Sequence, residues 1–288
     1  MNPFQDALEV VHTALHELRA RGVDLRSSSD VLARLAALPE VTATGSAKIA
    51  APSSPTPLAV ERSASLVGTI PLAPRLDVPS DGSKATRLAA MRDPVLACTL
   101  CPHLVRSRTQ VVFGVGNPDA EIMFVGEAPG EDEDLQGEPF VGKAGQLLTK
   151  IIQAMGFARE DIYIANVLKC RPDMPPGETG NRKPRLAEMQ TCLPYLRQQI
   201  EIIRPQAIVA LGATAMEGLL GETAPMARLR GRWHSFDGIP LMATYHPAYL
   251  LRNQSMAEKR KVWEDMLLVL ERLEKPISEK QRGFFLQK

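Results

Sequence analysis

The chain has 288 residues, 44% of them hydrophobic, and a formal net charge of +1. That is enough for one or two domains with a sizeable core, and bulk charge this close to neutral neither demands nor excludes a nucleic-acid partner, so local patches must decide. No run of about 18 apolar residues is present, which excludes a helical membrane span.

The N-terminal stretch carries Asp6 and Glu9 and no apolar run. No secretory signal is therefore expected, and the expected location is the cytoplasm. Residues 3–22 predict an amphipathic helix, because Phe4, Leu8, Val11, Leu15 and Leu18 recur at steps of four and three. Ser29 or Asp30 can cap a second short helix that runs through Leu38. This helical hairpin, residues 1–41, is too small to be stable alone. Its apolar stripe would pack on the main domain, on a second copy or on a partner protein. Residues 42–85 change character: Pro52, Pro55, Pro57, Pro71, Pro74 and Pro79 interrupt Ala, Ser and Thr. This composition predicts a flexible, partly extended linker. The core should begin near Thr86 and end near residue 275, leaving residues 276–288 as a tail.

Within the core, strand and helix patterns alternate. Predicted strands are Ile122–Val125, Ile162–Val167, Ala207–Leu211 and Leu241–Thr244. Predicted helices are Ala144–Met155, Pro184–Ile203, Thr214–Leu220 and Met256–Leu273. Such alternation predicts a parallel sheet with helices on both faces. The segment from Trp233 to Leu241 predicts a hairpin turning at Asp237-Gly238. A monomer is expected.

The stretch Glu121–Leu148 organises the core. Four apolar residues, Ile122 to Val125, run into Gly126-Glu127-Ala128-Pro129-Gly130, which cannot continue a strand. Glu127, Glu131, Asp132, Glu133 and Asp134 crowd this loop, and Phe140 stands between Gly137-Glu138-Pro139 and Val141-Gly142. Two readings fit. One is a ligand site lined by carboxylates that presents an aromatic ring. The other is a solvated acidic turn whose charges suit the positive end of a helix.

The chain holds four cysteines. Cys98 and Cys101 form a C-x-x-C, Cys170 follows the second long strand, and Cys192 lies on the next helix. In a reducing compartment these are metal ligands or free thiols rather than disulfides. Spacing alone admits zinc, an iron–sulfur cluster or buried unligated thiols. The wide second pair fits a zinc ribbon poorly.

Several motifs then occur in order: Gly126-Glu127-Ala128-Pro129-Gly130, Pro139-Phe140-Val141-Gly142, Asn166-Val167, Lys169-Cys170-Arg171-Pro172 and His246-Pro247-Ala248-Tyr249-Leu250-Leu251. With the four cysteines they closely resemble the family-four uracil-DNA glycosylases, the iron–sulfur type of bacteria and archaea. The resemblance spans about Cys98 to Leu273. It implies a three-layer α/β/α fold with a four-stranded parallel sheet, and a [4Fe–4S] cluster on Cys98, Cys101, Cys170 and Cys192. It implies removal of uracil from single- or double-stranded DNA, leaving an abasic site. The loop Gly126-Glu127-Ala128 would line the base pocket. Phe140 would stack on the flipped uracil, Asn166 would read its amide edge, and His246 would bond the oxygen on which charge develops. Glu127 and Glu133 would be the acids near the sugar and the water. Tyr249, Leu250, Leu251 and Arg252 would form a loop pressed into the minor groove. Competing readings are a non-catalytic iron–sulfur module that binds nucleic acid and a nucleoside hydrolase with the same pocket.

Ala128 stands where better-known uracil glycosylases carry an Asp, so no single carboxylate is forced to be the water-activating base. The segment Asp173–Gly180 is longer than the resemblance leads one to expect, and Glu138 and Lys143 replace expected arginines. Lys143 and Lys169 are expected to meet phosphate or solvent. Basic groups at Arg106 and Arg108, Arg182 to Arg185, Arg228 to His234, and Arg252 suit a phosphate track.

Overall fold

A computed structural model describes residues 71–286, apart from Pro176 and Glu222. The expected N-terminal hairpin and most of the expected linker lie outside the described residues. In chain order the elements are α1 (Lys84–Leu96), α2 (Pro102–Ser107), β1 (Val115–Gly116), β2 (Ile122–Gly126), α3 (Glu131–Gln136), α4 (Lys143–Met155), β3 (Tyr163–Asn166), α5 (Leu186–Ile203), β4 (Ala207–Leu211), α6 (Ala213–Leu220), α7 (Met226–Leu229), β5 (Trp233–Phe236), β6 (Ile239–Thr244), α8 (Pro247–Arg252), α9 (Met256–Arg272) and α10 (Glu279–Arg282). A 3-10 turn, Arg159–Asp161, leads from α4 towards β3. Among the described residues no helix is long and apolar enough to cross a membrane.

The sheet has six strands in the order β1-β3-β2-β4-β6-β5. Its four central strands, β3-β2-β4-β6, are parallel, as the alternation predicted. The two edge strands are antiparallel additions. β1 is two residues long, too short to leave a periodic signal. β5 is the first arm of the expected hairpin, which turns at Asp237-Gly238 with both residues at positive φ.

β2, β3 and β4 are buried along their whole length, so alternate residues feed two separate cores. Met123, Val125, Ala165, Ile208 and Ala210 pack with Met91 of α1, Met189 and Leu196 of α5 and Met216 of α6. Ile122, Phe124, Ile164, Val209 and Met242 pack with Leu148 and Ile152 of α4 and Trp263, Met266 and Leu270 of α9. A sheet with helical cores on both faces is the expected three-layer α/β/α arrangement. β3 lies on one side of β2 and β4 on the other, so chain connections diverge there. Ligands of open α/β sheets bind at such a point, beyond the carboxyl ends of the strands.

Two boundaries move. Residues 71–83 were expected in the flexible linker, with the core starting near Thr86. They instead lie along α5. Ala73 is buried and its N–H donates to Thr191 O at 2.8 Å, while Leu76 exchanges hydrogen bonds with Gln198 at 3.0 and 2.7 Å. Backbone hydrogen bonding and one small apolar residue hold a segment whose prolines forbid a helix. The expected C-terminal tail also folds back. Trp263 Nε1 donates to Gln281 O at 2.6 Å, Gln281 Nε2 to Ala154 O at 2.9 Å, and the Trp263 and Phe284 rings lie 5.2 Å apart.

Candidate active site

The carboxyl ends of β2, β3 and β6 meet at a cleft of about 310 Å³, lined by Glu127, Phe140, Asn166, Asn181, Arg182, His246 and Arg252, among others. Of the residues expected to form the base pocket, Glu127, Ala128, Phe140, Asn166 and His246 all line this cleft. Gly126 is the last residue of β2 and pairs in register with Asn166. A Cβ at Gly126 would overlap Asn166 Oδ1 and reach 2.6 Å from the Phe140 ring. Glycine is required there because two side chains cross its backbone face.

Asn166 is 2% exposed, and its Oδ1 is buried with no hydrogen-bond partner. Leaving such an acceptor unpaired costs about 1–3 kcal/mol. A buried orphan acceptor at the end of a strand, opening on a cleft, is a group held ready for a donor. Phe140 has φ 55, in the left-handed region, and is 7% exposed. Its ring centroid lies 5.6 Å from that of His246, at an interplanar angle of 34°.

His246 is the N-cap of α8, and its Nδ1 accepts from Ala248 N at 3.1 Å. Accepting there leaves Nε2 as the protonated nitrogen of a neutral ring, and hence a donor. Burial pushes the His246 pKa below its ordinary value, the Arg252 charge pushes the same way, and Glu127 opposes them. The imidazole therefore favours its neutral form, with Nε2 carrying the proton.

The acids of the motif loop divide. Glu133 is the third residue of α3, and its carboxylate is occupied: Oε2 accepts from Gly130 N at 3.0 Å, and Oε1 from Val141 N and Gly142 N at 3.0 and 3.1 Å. Asp134 is buried and accepts from the Thr109 and Gln110 amides. Glu131 and Asp132 are exposed in the first turn of α3. For Glu131, Asp132 and Asp134 the helix-end reading holds, whereas Glu127 and Glu133 both line the cleft. Glu133, expected to act near the water, lines the cleft as well, and its three amide bonds tie it to the Phe140 loop.

The segment Tyr249–Arg252 was expected as a loop. It is the latter part of α8, because Pro247 suits the first position of a helix capped by His246. Neighbouring residues on a helix point about 100° apart, so they cannot all face outward. Leu250 is buried, whereas Leu251 is 38% exposed and Arg252 is exposed. The Tyr249 hydroxyl meets Glu258 Oε2 at 3.2 Å, and its ring stacks on Tyr245 at 4.6 Å.

Several cations of the expected phosphate track are already committed. Arg108 donates to Cys170 Sγ at 3.0 Å and Cys98 O at 2.7 Å. Arg182 donates to both carboxylate oxygens of Glu188, at 3.0 and 2.7 Å, and to Asp173. Glu188 also meets His103 Nε2 at 2.7 Å. Arg230 is paired with the fully buried Asp265, whose pKa burial lifts to about 6. Lys169, expected near phosphate or solvent, is 1% exposed and donates to Gln199 Oε1 at 2.6 Å. Burial lowers its pKa to about 8. Lys143, Arg185 and Arg252 remain exposed. Asn181, which the sequence reading gave no role, lines the cleft wall, carried there by the Arg182–Glu188 tie.

The four cysteines converge beside α5. Cys98 and Cys101 lie before α2, Cys170 after β3 and Cys192 within α5. Burial, then the negative charge of Cys170 and Cys98, pushes the Cys101 thiol up to about 11. Burial and the same two neighbours push Cys192 up to about 12. Lys169 N donates to Cys192 Sγ at 3.3 Å. Among the described residues, only His103, Asp173 and Glu188 form a ligand triad within 4.8 Å, and Arg182 already neutralises it.

Residues 113–267 match the sequence profile described as the Uracil DNA glycosylase superfamily. The chain is 48% identical over 177 residues to the Type-4 uracil-DNA glycosylase of Thermotoga maritima, covering 60% of this chain and 87% of that protein. It is 43% identical over 173 residues to the Type-4 uracil-DNA glycosylase of Archaeoglobus fulgidus, covering 57% and 83%. A Type-5 uracil-DNA glycosylase of Pyrobaculum aerophilum is 29% identical over 186 residues, covering 53% and 79%.

Proposed function

The chain belongs to the uracil DNA glycosylase superfamily, and on that premise we propose that it removes uracil from DNA by hydrolysing the N-glycosidic bond. The observation that carries this reading is the unpaired, buried Asn166 Oδ1 in the cleft. Uracil offers an N3–H donor beside a carbonyl acceptor, so the Asn166 amide can accept from one and donate to the other. Cytosine presents the reverse pattern and is rejected.

A base in a duplex must be rotated out of the stack, at a cost of a few kcal/mol. Stacking on Phe140 returns about 1–3 kcal/mol of that. The C1′–N1 bond then breaks with positive charge on the sugar and negative charge on the departing base. His246 Nε2–H donates to the base oxygen, a kind of contact worth about 3–4 kcal/mol in other enzymes. Water adds to C1′, and Glu127, rather than Glu133 with its three amide bonds, takes its proton. The products are free uracil and an abasic site with an intact strand. Leu251 and Arg252, on the exposed side of α8, would meet the duplex beside the flipped nucleotide.

Cys98, Cys101, Cys170 and Cys192 would hold a [4Fe–4S] cluster, which accepts four thiolates, each on its own iron. The donors already aimed at two of the sulfurs, Arg108 at Cys170 and the Lys169 amide at Cys192, support this. When bound, the cluster supplies a covalent tie between the C-x-x-C segment, the β3 end and α5. Helix α5 in turn carries Glu188, which holds the Arg182 side of the pocket wall.

The test is incubation of uracil-containing single- and double-stranded oligonucleotides with the protein, followed by alkali, alongside iron and sulfide assays. Strand scission only after alkali, with about four iron and four sulfide per chain, is expected. Intact substrate, or scission without alkali, would refute the activity. One zinc and no iron after anaerobic purification would refute the cluster.

A further inference from the structure

Phe140 occupies a backbone region that an aromatic residue reaches only when its surroundings impose it, with φ 55. What imposes it can be read from the peptides on either side. On the C-terminal side, Glu133 Oε1 accepts from Val141 N and Gly142 N. On the N-terminal side, Arg159 Nη2 donates to Pro139 O at 2.7 Å. Arg159 lies in the turn after α4, and its Nη1 donates to Thr149 Oγ1 at 3.2 Å. Thr149 Oγ1 in turn donates to Gly145 O at 3.1 Å. Gly145 is the residue whose backbone presses on Phe140, since a Cβ there would overlap the Phe140 carbonyl.

Arg159 thus gives both hydrogen bonds to neutral acceptors rather than to a carboxylate. A partly buried guanidinium used in this way fixes geometry more than it offsets charge. Its target is the carbonyl immediately before the strained residue. The Glu133 clamp alone leaves the Pro139–Phe140 peptide free to rotate, and that rotation would release Phe140 from the left-handed region. The ring would then leave its place over Gly126, 5.6 Å from His246.

We infer that Arg159 is a positioning residue for substrate capture, which holds the Phe140 ring in its left-handed conformation through the Pro139 carbonyl. The inference rests on the proposed role of Phe140 as the stacking platform for the flipped base.

The test is a double-mutant cycle on the holoprotein, with wild type, Phe140→Ala, Arg159→Ala and the double variant. Single-turnover rates are measured from limiting to saturating enzyme on a uracil oligonucleotide, together with inhibition by free uracil. Arg159→Ala is expected to raise the half-saturating enzyme concentration and the uracil inhibition constant about tenfold, with the saturated rate within about threefold of wild type. In the Phe140→Ala background the same change should add less than about twofold, because the ring it positions is gone. Arg159→Lys, which can still donate to Pro139 O, should recover most of the capture. Additive losses in the double variant, or wild-type capture in Arg159→Ala, would overturn the inference. If Arg159→Ala does not fold, Arg159→Gln is judged by the same cycle. A wild-type protein that releases no uracil would overturn the proposed activity and this inference together. Weak capture by Phe140→Ala with additive Arg159 losses would overturn this inference alone.

Discussion

Replacing Asn166 should separate function from stability. Its Oδ1 is buried without a partner in the free protein. Asn166→Leu keeps the same branched heavy-atom outline and removes that acceptor, so the cost of about 1–3 kcal/mol for the orphan group disappears. In a domain of this size each kcal/mol shifts the thermal midpoint by roughly 2–4 °C, so the variant should melt higher than wild type. Catalysis should move the other way. Two base-edge hydrogen bonds are lost, a discrimination of about 1–3 kcal/mol, and the base edge is left unpaired in the cleft at a further cost of about 1–3 kcal/mol. The sum, roughly 2–6 kcal/mol, is a fall of about 30-fold to more than 10⁴-fold in the single-turnover rate at limiting enzyme. Asn166→Asp adds a pH arm. Burial raises the new carboxyl above its usual value near 3.9. Above the raised value the ionised group cannot donate and repels the charge on the leaving base. Below it the neutral acid donates again, so activity relative to wild type should rise as pH falls. Both variants keeping a third or more of the wild-type rate, or Asn166→Leu melting several degrees lower, would refute the reasoning.

His246 has its pKa lowered mainly by burial, so the folded value lies below the ordinary 6.5. The ring stays neutral as pH falls through 6.5, and the acid limb of activity should appear below that value. The same shift means the unfolded chain binds more protons there, so this contribution to stability is complete above 6.5 and is lost as pH falls towards the folded value. A pH–rate profile with its acid limb at or above 6.5 would contradict this. Glu127→Gln should lower the single-turnover rate by about 10²- to 10⁴-fold with little change in thermal midpoint. Glu133→Gln should chiefly destabilise, by about 1–3 kcal/mol, since its oxygens serve three backbone amides. The reverse pattern would exchange their roles. Deletion through residue 70 should leave the glycosylase activity largely intact, because the cysteines and every cleft residue lie beyond it. Deletion through residue 83 should lower the melting point, because Ala73 and Leu76 hydrogen-bond to α5. Equal stability of the two truncations would contradict that account.

Long apolar runs and their turn residues made the central strands legible, and the cleft residues Glu127, Phe140, Asn166 and His246 stood in motifs at the ends of those strands. Short elements were not legible. β1 and α7 are two and four residues long and carry no period. α8 hid inside a motif read as a loop, although Pro247 after a capping His246 was the available signal. The cations misled for a related reason. Arg108, Arg182 and Arg230 look in sequence like free surface charges, because Cys170, Glu188 and Asp265 lie 62, 6 and 35 positions away. Lys169 gave no hint of burial, since its one partner, Gln199, is 30 residues distant on α5.

The acidic loop was harder to read because one local need imitates another. A helix start leaves several N–H groups without intrahelical acceptors, and acids at its first turn answer both those groups and the helix dipole. α3 begins one residue after Gly130 and takes Glu131, Asp132, Glu133 and Asp134 into that first turn. Acidity in this stretch therefore counts helix initiation before it counts chemistry. Glu127 differs because it precedes the turn. It follows the last residue of β2, its own carbonyl is taken by Leu168 N at 3.0 Å, and its side chain is left to the cleft. With Ala128 beside it, the two positions after the strand hold one carboxylate and one methyl group. Glu133, the other motif acid that lines the cleft, has its oxygens engaged by three amides, so Glu127 is the proposed acceptor of the proton from water. On the proposed reading, the hydrogen bonds that Glu133 and Arg159 make on either side of Phe140 set where the base lies relative to that acceptor.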